Sequence, residues 1–102
     1  MKVVYQAGSR SRFEDMDWEA QEAVRRAVAM TAGATGFRTH RGEVWRDCQL
    51  EVTMGHNIYT TDIRIVPDVR DRLSRSNYLN DSAYYCNGTF WATVSRTQVE
   101  LI

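Results

Sequence analysis

The sequence predicts a single α+β domain over residues 1–102, in which an antiparallel-rich sheet carries one long and one short helix on one face. Three patterns lead to this fold class. Apolar residues recur at helical spacing between residues 16 and 31, and apolar and polar residues alternate, as in a half-buried strand, over residues 44–54. An Asn-Gly pair at 87–88 separates two strand-like runs, which is a strong hairpin signal.

The first elements are a strand and the long helix. Residues 2–7, KVVYQA, predict a strand, and residues 8–14 predict a loop. The helix is expected to begin between Asp15 and Asp17, because carboxylates there cap free backbone N–H groups and favour the positive end of the helix dipole. Gly33 or Gly36 is expected to end it. The apolar face of this helix comprises Met16, Ala20, Ala23, Val24, Ala27, Val28 and Thr31.

The middle of the chain predicts a pair of antiparallel strands. Residues 43–54 alternate over their whole length, so they predict one long strand in which Trp45 lies on the polar face. A turn at 55–57 and an apolar run at 58–66 predict its partner. The apolar face of the long strand comprises Val44, Cys48, Leu50, Val52 and Met54.

The last third of the chain predicts the short helix and the remaining strands. Pro67 suits the first position of a helix, which would extend to about Ser74. Strands are expected at 82–86 and 89–95 on either side of the Asn-Gly turn, and the apolar tail TQVELI predicts a last strand. The resulting order is β-α-β-β-α-β-β, an arrangement found in ferredoxin-like folds.

Charge narrows the class of partner. The chain has 13 basic and 13 acidic residues, and this balance argues against a general nucleic-acid coat protein, which is usually basic. All basic residues except Lys2 are arginine. A GC-rich genome produces such a bias, but arginine is also the better bidentate partner for phosphate.

Compartment and cofactor expectations follow from composition. No apolar run approaches the ~18 residues of a membrane span, and the N-terminus turns polar too early for a secretory signal, so a cytoplasmic protein is expected. Cys48 and Cys86 are then expected to be free thiols. Neither His40 nor His56 stands in a metal-binding spacing, so we expect no metal and no cofactor.

Two Ser-Arg segments are the candidate ligand-binding regions. The first, Ser9, Arg10, Ser11 and Arg12, lies between a strand and a helix start, where backbone N–H groups can converge on an anion. The alternative is a solvated connector whose arginines pair with nearby carboxylates. The second segment provides Arg72, Arg75 and Tyr78, which would join the same pocket, with Tyr78 stacking on a base. Its alternative is a solvated helix face.

Aromatic side chains form a third candidate site. Adjacent aromatics in a hairpin point to opposite faces, so part of the set must lie outside the core. Trp45, Tyr85 and Trp91 are the expected members of an exposed interface, through which the chain would form a homo-oligomer or bind a protein partner. The alternative is ordinary cross-strand packing.

One family resemblance concerns the first quarter of the chain. The stretch MKVVYQ followed by MDWEAQEAVRRAV resembles the opening of RelE-type toxin ribonucleases, in which a strand precedes an amphipathic helix over a sheet. The resemblance carries no catalytic motif, but it implies a metal-independent ribonuclease. RNA cleavage by such an enzyme would be expected to depend on His56 or His40. The chain departs from that family after the first helix, because it predicts one long helix where the family has a helical hairpin.

The function expected from these residues is non-enzymatic binding of a phosphorylated ligand, a nucleotide or a nucleotide second messenger, in an arginine-lined pocket. A small protein of this kind suits a phage- or plasmid-encoded regulator that counteracts host defence. The alternatives are a protein–protein inhibitor or virion joint protein that acts through the aromatic face, and the ribonuclease.

Overall fold

One α-helix and eight strands form the described part of the chain, residues 1–6, 12–54, 61–67 and 82–102 of a computed structural model. A single 3₁₀ turn, Phe13–Asp15, precedes the helix. The chain therefore has an α+β fold, and its Cα radius of gyration of 13.1 Å is that of one compact globule of this length. The elements are β1 (Lys2–Tyr5), α1 (Trp18–Thr31), β2 (Phe37–Arg38), β3 (Val44–Trp45), β4 (Cys48–Met54), β5 (Thr61–Pro67), β6 (Ala83–Cys86), β7 (Thr89–Ala92) and β8 (Glu100–Leu101).

The main sheet has five strands in the order β1-β4-β5-β6-β7. Strands β4 to β7 pair antiparallel, which confirms the two predicted pairs, β4–β5 and β6–β7. Strand β1 lies parallel to β4, with Val3 opposite Leu50, so the sheet is mixed. The predicted Asn-Gly hairpin is confirmed. Asn87 and Gly88 have φ of 51° and 82°, the left-handed conformation that a tight turn between twisted strands requires.

A second, three-stranded sheet has the order β3-β2-β8, with Phe37 paired to both Trp45 and Leu101. The prediction of one continuous strand over 43–54 is wrong. Asp47 adopts a φ of 53°, which interrupts the extended backbone and separates β3 from β4. The predicted C-terminal strand is confirmed by β8, which joins this small sheet and not the main one.

The long helix begins and faces the sheet as its sequence predicts. The Asp17 carboxylate accepts a hydrogen bond from the Ala20 backbone N–H at 2.8 Å, which satisfies one free donor of the first turn. Val24 and Ala27 are buried on the side that packs against β4 and β5. At the other end, the buried Thr31 hydroxyl donates to the Ala27 carbonyl at 2.9 Å.

Replacing Asp17 by alanine should lower the free energy of unfolding by about 1 kcal/mol, because the Ala20 N–H loses its acceptor at a helix start. Asparagine at the same position keeps an acceptor oxygen and should retain most of the stability. Urea unfolding of the two variants measures the difference. Equal losses in both would show that the contact is not a cap and that the carboxylate charge acts instead.

The core lies between α1 and the helix-facing side of the main sheet. Leu50, Ile65 and Val52 in the central strands are fully buried, as is Val24 of the helix. Phe90 closes one side of this core and Phe37 connects it to the small sheet. The core therefore extends into the small sheet, and this continuity positions the site described below.

The prediction that Pro67 begins a short helix is wrong. Pro67 is the last residue of β5, paired with Cys48, and is not the first residue of a helix. The remainder of that predicted helix, residues 68–74, lies outside the described residues.

Cys48 is buried, as predicted, and Cys86 is exposed, and both are free thiols. Within the described ranges, the helix is neither long nor apolar enough to cross a membrane.

Candidate functional site

The two predicted Ser-Arg segments fall mostly outside the described residues. This applies to Ser9, Arg10 and Ser11 of the first segment, to Arg72, Arg75 and Tyr78 of the second, and to His56. Arg12 is described, and its Nε lies 3.0 Å from Asp15 Oδ2 in an exposed ion pair. Arg12 therefore makes the arginine–carboxylate contact expected if this segment is a solvated connector.

The predicted aromatic interface does not form one face. Trp45 is only 5% exposed, so the prediction that it lies on an exposed face is wrong. That prediction assumed that polar and apolar residues alternate without interruption through residues 43–54, but the left-handed backbone at Asp47 interrupts the strand. Tyr85 packs against the core, edge-to-face with Phe90 at 5.4 Å between ring centroids. Trp91 is half-buried, and its Nε1 donates to the Cys86 carbonyl at 3.3 Å.

A cleft of about 400 Å³ lies between the β2–β3 hairpin and the turn that follows β7. Its apolar floor is formed by the buried residues Phe37, Trp45 and Ala92. His40 and Arg41 stand on the rim. The remaining lining residues are Thr39, Glu43, Ser82, Val94 and Ser95.

The rim is held in place by the backbone of the β2–β3 turn. Gly42 has a φ of 86°, and its N–H donates to the Thr39 carbonyl at 2.9 Å. The Thr39 N–H donates to the Glu43 carbonyl at 2.9 Å, and the Glu43 N–H donates to the Thr39 hydroxyl at 3.2 Å. Hairpin turns commonly end in a residue with left-handed backbone, and glycine, here Gly42, adopts that conformation without strain. The turn consequently presents His40 and Arg41 at its tip.

A chain of hydrogen bonds connects this tip to the opposite wall. His40 Nδ1 lies 2.9 Å from the Thr97 hydroxyl, which in turn lies 2.7 Å from the Ser95 hydroxyl. The wall itself is fixed because the Ala92 N–H donates to the Thr97 carbonyl and the Arg96 N–H to the Ala92 carbonyl. With Nδ1 engaged, the Nε2 atom of His40 is the ring nitrogen left to contact a ligand.

Arg41 is the available cation of the cleft. Among the residues that the structure describes, no carboxylate lies within ion-pair distance of its guanidinium, in contrast to Arg12, Arg38 and Arg64. A guanidinium presents its donors in a planar fork that matches phosphate and carboxylate. The rim can therefore bind an anion without first breaking an internal ion pair.

Other chemistry is not assembled in the described ranges. Across residues 1–6, 12–54, 61–67 and 82–102, no three His, Cys, Asp or Glu side chains come together as metal ligands would. The pKa of Tyr5 is raised above its ordinary value because burial and the nearby Glu14 carboxylate both disfavour the phenolate. Tyr5 belongs to β1 and does not line the cleft.

The sequence interpretation missed this cleft because its walls are far apart in the chain. His40 and Thr97 are separated by 57 residues. The one local signal is the stretch Thr39-His40-Arg41-Gly42, in which a glycine at the end of a polar turn predicts a tight hairpin with its two middle side chains exposed.

Comparisons of the chain with protein-family models, curated proteins and solved structures find no match.

Proposed function

We propose that the chain is a binding protein for a small phosphorylated ligand of the nucleotide class, held without chemical change in the cleft between the β2–β3 hairpin and the turn after β7. The observation that carries the proposal is an arginine without a carboxylate partner in the described residues, Arg41, on the rim of a cleft with an apolar floor. A volume of about 400 Å³ is within the range of small-ligand sites.

The lining residues support a ligand with three chemically different parts. Arg41 and the Nε2 atom of His40 suit a phosphate. The apolar lining, in which the exposed Val94 stands beside the floor of Phe37 and Trp45, suits a flat ring, because apolar walls contribute most of the contact area in ligand pockets. Glu43 would repel a phosphate but accepts hydrogen bonds from sugar hydroxyls, as acidic residues do in dinucleotide sites. Inorganic phosphate would satisfy only the first part.

Metal-independent RNA cleavage is the competing function, because His40 and Glu43 supply acid–base groups in the same cleft as Arg41. The predicted segment with Ser9, Arg10, Ser11 and Arg12, together with Arg72, Arg75 and Tyr78, is proposed as a further phosphate-binding region. Arg12 contributes less to it than its sequence position indicates, because it is paired with Asp15.

Thermal melting in the presence of nucleotides tests the proposal. The panel comprises linear and cyclic nucleotides, ADP-ribose, short RNA, short DNA and inorganic phosphate. A ligand at a hundred times its Kd stabilises by about 2.7 kcal/mol, which should raise Tm by about 10 °C. We expect this rise with one nucleotide class. It should fall by at least half in Arg41→Ala, because a charged hydrogen bond contributes about 1.5–3 kcal/mol.

Arg46→Ala is the matched control. Like Arg41→Ala, this variant loses one exposed arginine, but Arg46 does not line the cleft. It should retain the full rise in Tm. No rise with any nucleotide, or the same rise in Arg41→Ala as in the unmodified chain, would contradict the proposal. The RNA samples are also analysed for products in EDTA: cleavage that is lost in His40→Ala would establish the ribonuclease in its place.

A further inference from the structure

Trp18 is the most exposed of the large hydrophobic side chains that the structure describes, with 71% of its surface accessible. It is the first residue of α1 and stands at the edge of a groove of about 430 Å³ between that helix and the β6–β7 turn. Ala23, Tyr85 and Gly88 form the apolar part of the groove. Its polar lining residues are Glu19, Glu22, Arg26 and Asn87. This groove shares no lining residue with the cleft of Arg41.

The charge around the groove is negative. The groove lining has two carboxylates, Glu19 and Glu22, and one guanidinium, Arg26, a net charge of −1. Residues 12–26 as a whole carry five carboxylates and three guanidinium groups. The three arginines are already engaged: Arg12 with Asp15, Arg25 over the Phe13 ring at 5.1 Å, and Arg26 with Glu22 at 3.5 Å. Glu19, by contrast, has no basic side chain within ion-pair distance in the described ranges.

We infer that this groove docks a basic segment of a protein partner, with an arginine or lysine of that segment over the Trp18 ring. Tryptophan is the side chain whose ring face attracts a cation most strongly. Glu19 supplies a carboxylate within the same groove, so one basic segment can satisfy both groups. Exposed tryptophan is also typical of the residues on which protein interfaces depend. The surface is independent of the proposed nucleotide site.

The test uses a blocked nine-residue peptide with three arginines among alanine and glycine, titrated into the ¹⁵N-labelled chain and followed by NMR. We expect the Trp18 indole N–H and the backbone amides of Glu19, Ala23 and Gly88 to shift. The same peptide with glutamate in place of arginine should not shift them. Trp18→Ala should weaken binding by about fivefold or more, the order expected of a cation–π contact.

Met30→Ala is the control variant, because Met30 is also exposed on α1 but lies near its other end, outside the groove. It should bind the peptide as the unmodified chain does. The inference is overturned if the arginine peptide leaves the Trp18 indole unshifted at millimolar concentration, or if Trp18→Ala binds equally well. It is also overturned if light scattering finds a dimer that Trp18→Ala converts to a monomer, since a second copy would then be the occupant.

Discussion

Alanine in place of Gly36 should lower Tm by about 15 °C or more, or prevent folding, because an added methyl group has no space. A Cβ at this position would overlap the Trp45 carbonyl oxygen and lie 2.7 Å from its carbonyl carbon and 3.0 Å from the Arg46 Cα. These are backbone atoms, which cannot rotate away as a flexible side chain does. The expected loss is about 4 kcal/mol or more, at the upper end of single substitutions.

The backbone around Gly36 has little freedom to separate. The Gly36 N–H donates to the Ile102 carbonyl at 3.2 Å, and the Ile102 N–H donates to the Gly36 carbonyl at 3.0 Å. Gly33→Ala is the matched control: apart from Gly33 itself and its two chain neighbours, no atom lies within 4 Å of a Cβ there. That variant should be as stable as the unmodified chain or about 0.5 kcal/mol more stable. Calorimetry of both variants decides, and similar Tm values for the two would contradict the steric explanation.

Replacing Phe37 by alanine should cost about 3–5 kcal/mol, because it empties a ring-sized volume in the core. Phe37 is 1% exposed and is paired on one side with Trp45 and on the other with Leu101. Its ring belongs both to the core and to the floor of the Arg41 cleft. The variant should therefore lose stability and, where it still folds, the nucleotide-dependent rise in Tm.

Trp18→Ala is the control for Phe37→Ala, since it removes a larger aromatic side chain from an exposed position. Its unfolding free energy should change by no more than about 0.5 kcal/mol. Urea unfolding of the two variants measures the contrast. A loss of under about 1 kcal/mol for Phe37→Ala would mean that the two sheets do not share the core described above.

Local patterns were enough to predict the elements that they specify directly. The helix follows from apolar spacing and the Asp17 cap, and the β6–β7 hairpin follows from Asn87 and Gly88. The alternation of buried and half-buried side chains along β4, from Cys48 to Met54, also matches the prediction. In each case the signal and the structure that it specifies lie within a few residues of each other.

The remaining features depend on contacts that the chain order conceals. Aspartate tolerates a positive φ, so the sequence does not show that Asp47 interrupts the strand. The alternating pattern therefore placed Trp45 on the wrong face. Strand β2 has only two residues and exists because β3 and β8 flank it. The Arg41 cleft requires the same tertiary pairing. The groove at Trp18 arises because a helix start meets the β6–β7 turn, which the sequence alone does not place together.

The pairing of β8 with β2 also constrains the order in which the molecule can be completed. Arg38 pairs with Glu100 across a separation of 62 residues, so the small sheet closes one of the longest loops in the described chain. Closing such a loop requires a large loss of chain entropy, and contacts of this range form slowly. The β2–β3 hairpin is local and can form first, but the small sheet is complete only when Glu100 and Leu101 pair with β2. The ligand cleft is closed by contacts such as His40–Thr97, across 57 residues, so we expect it to form after the local hairpins β2–β3 and β6–β7.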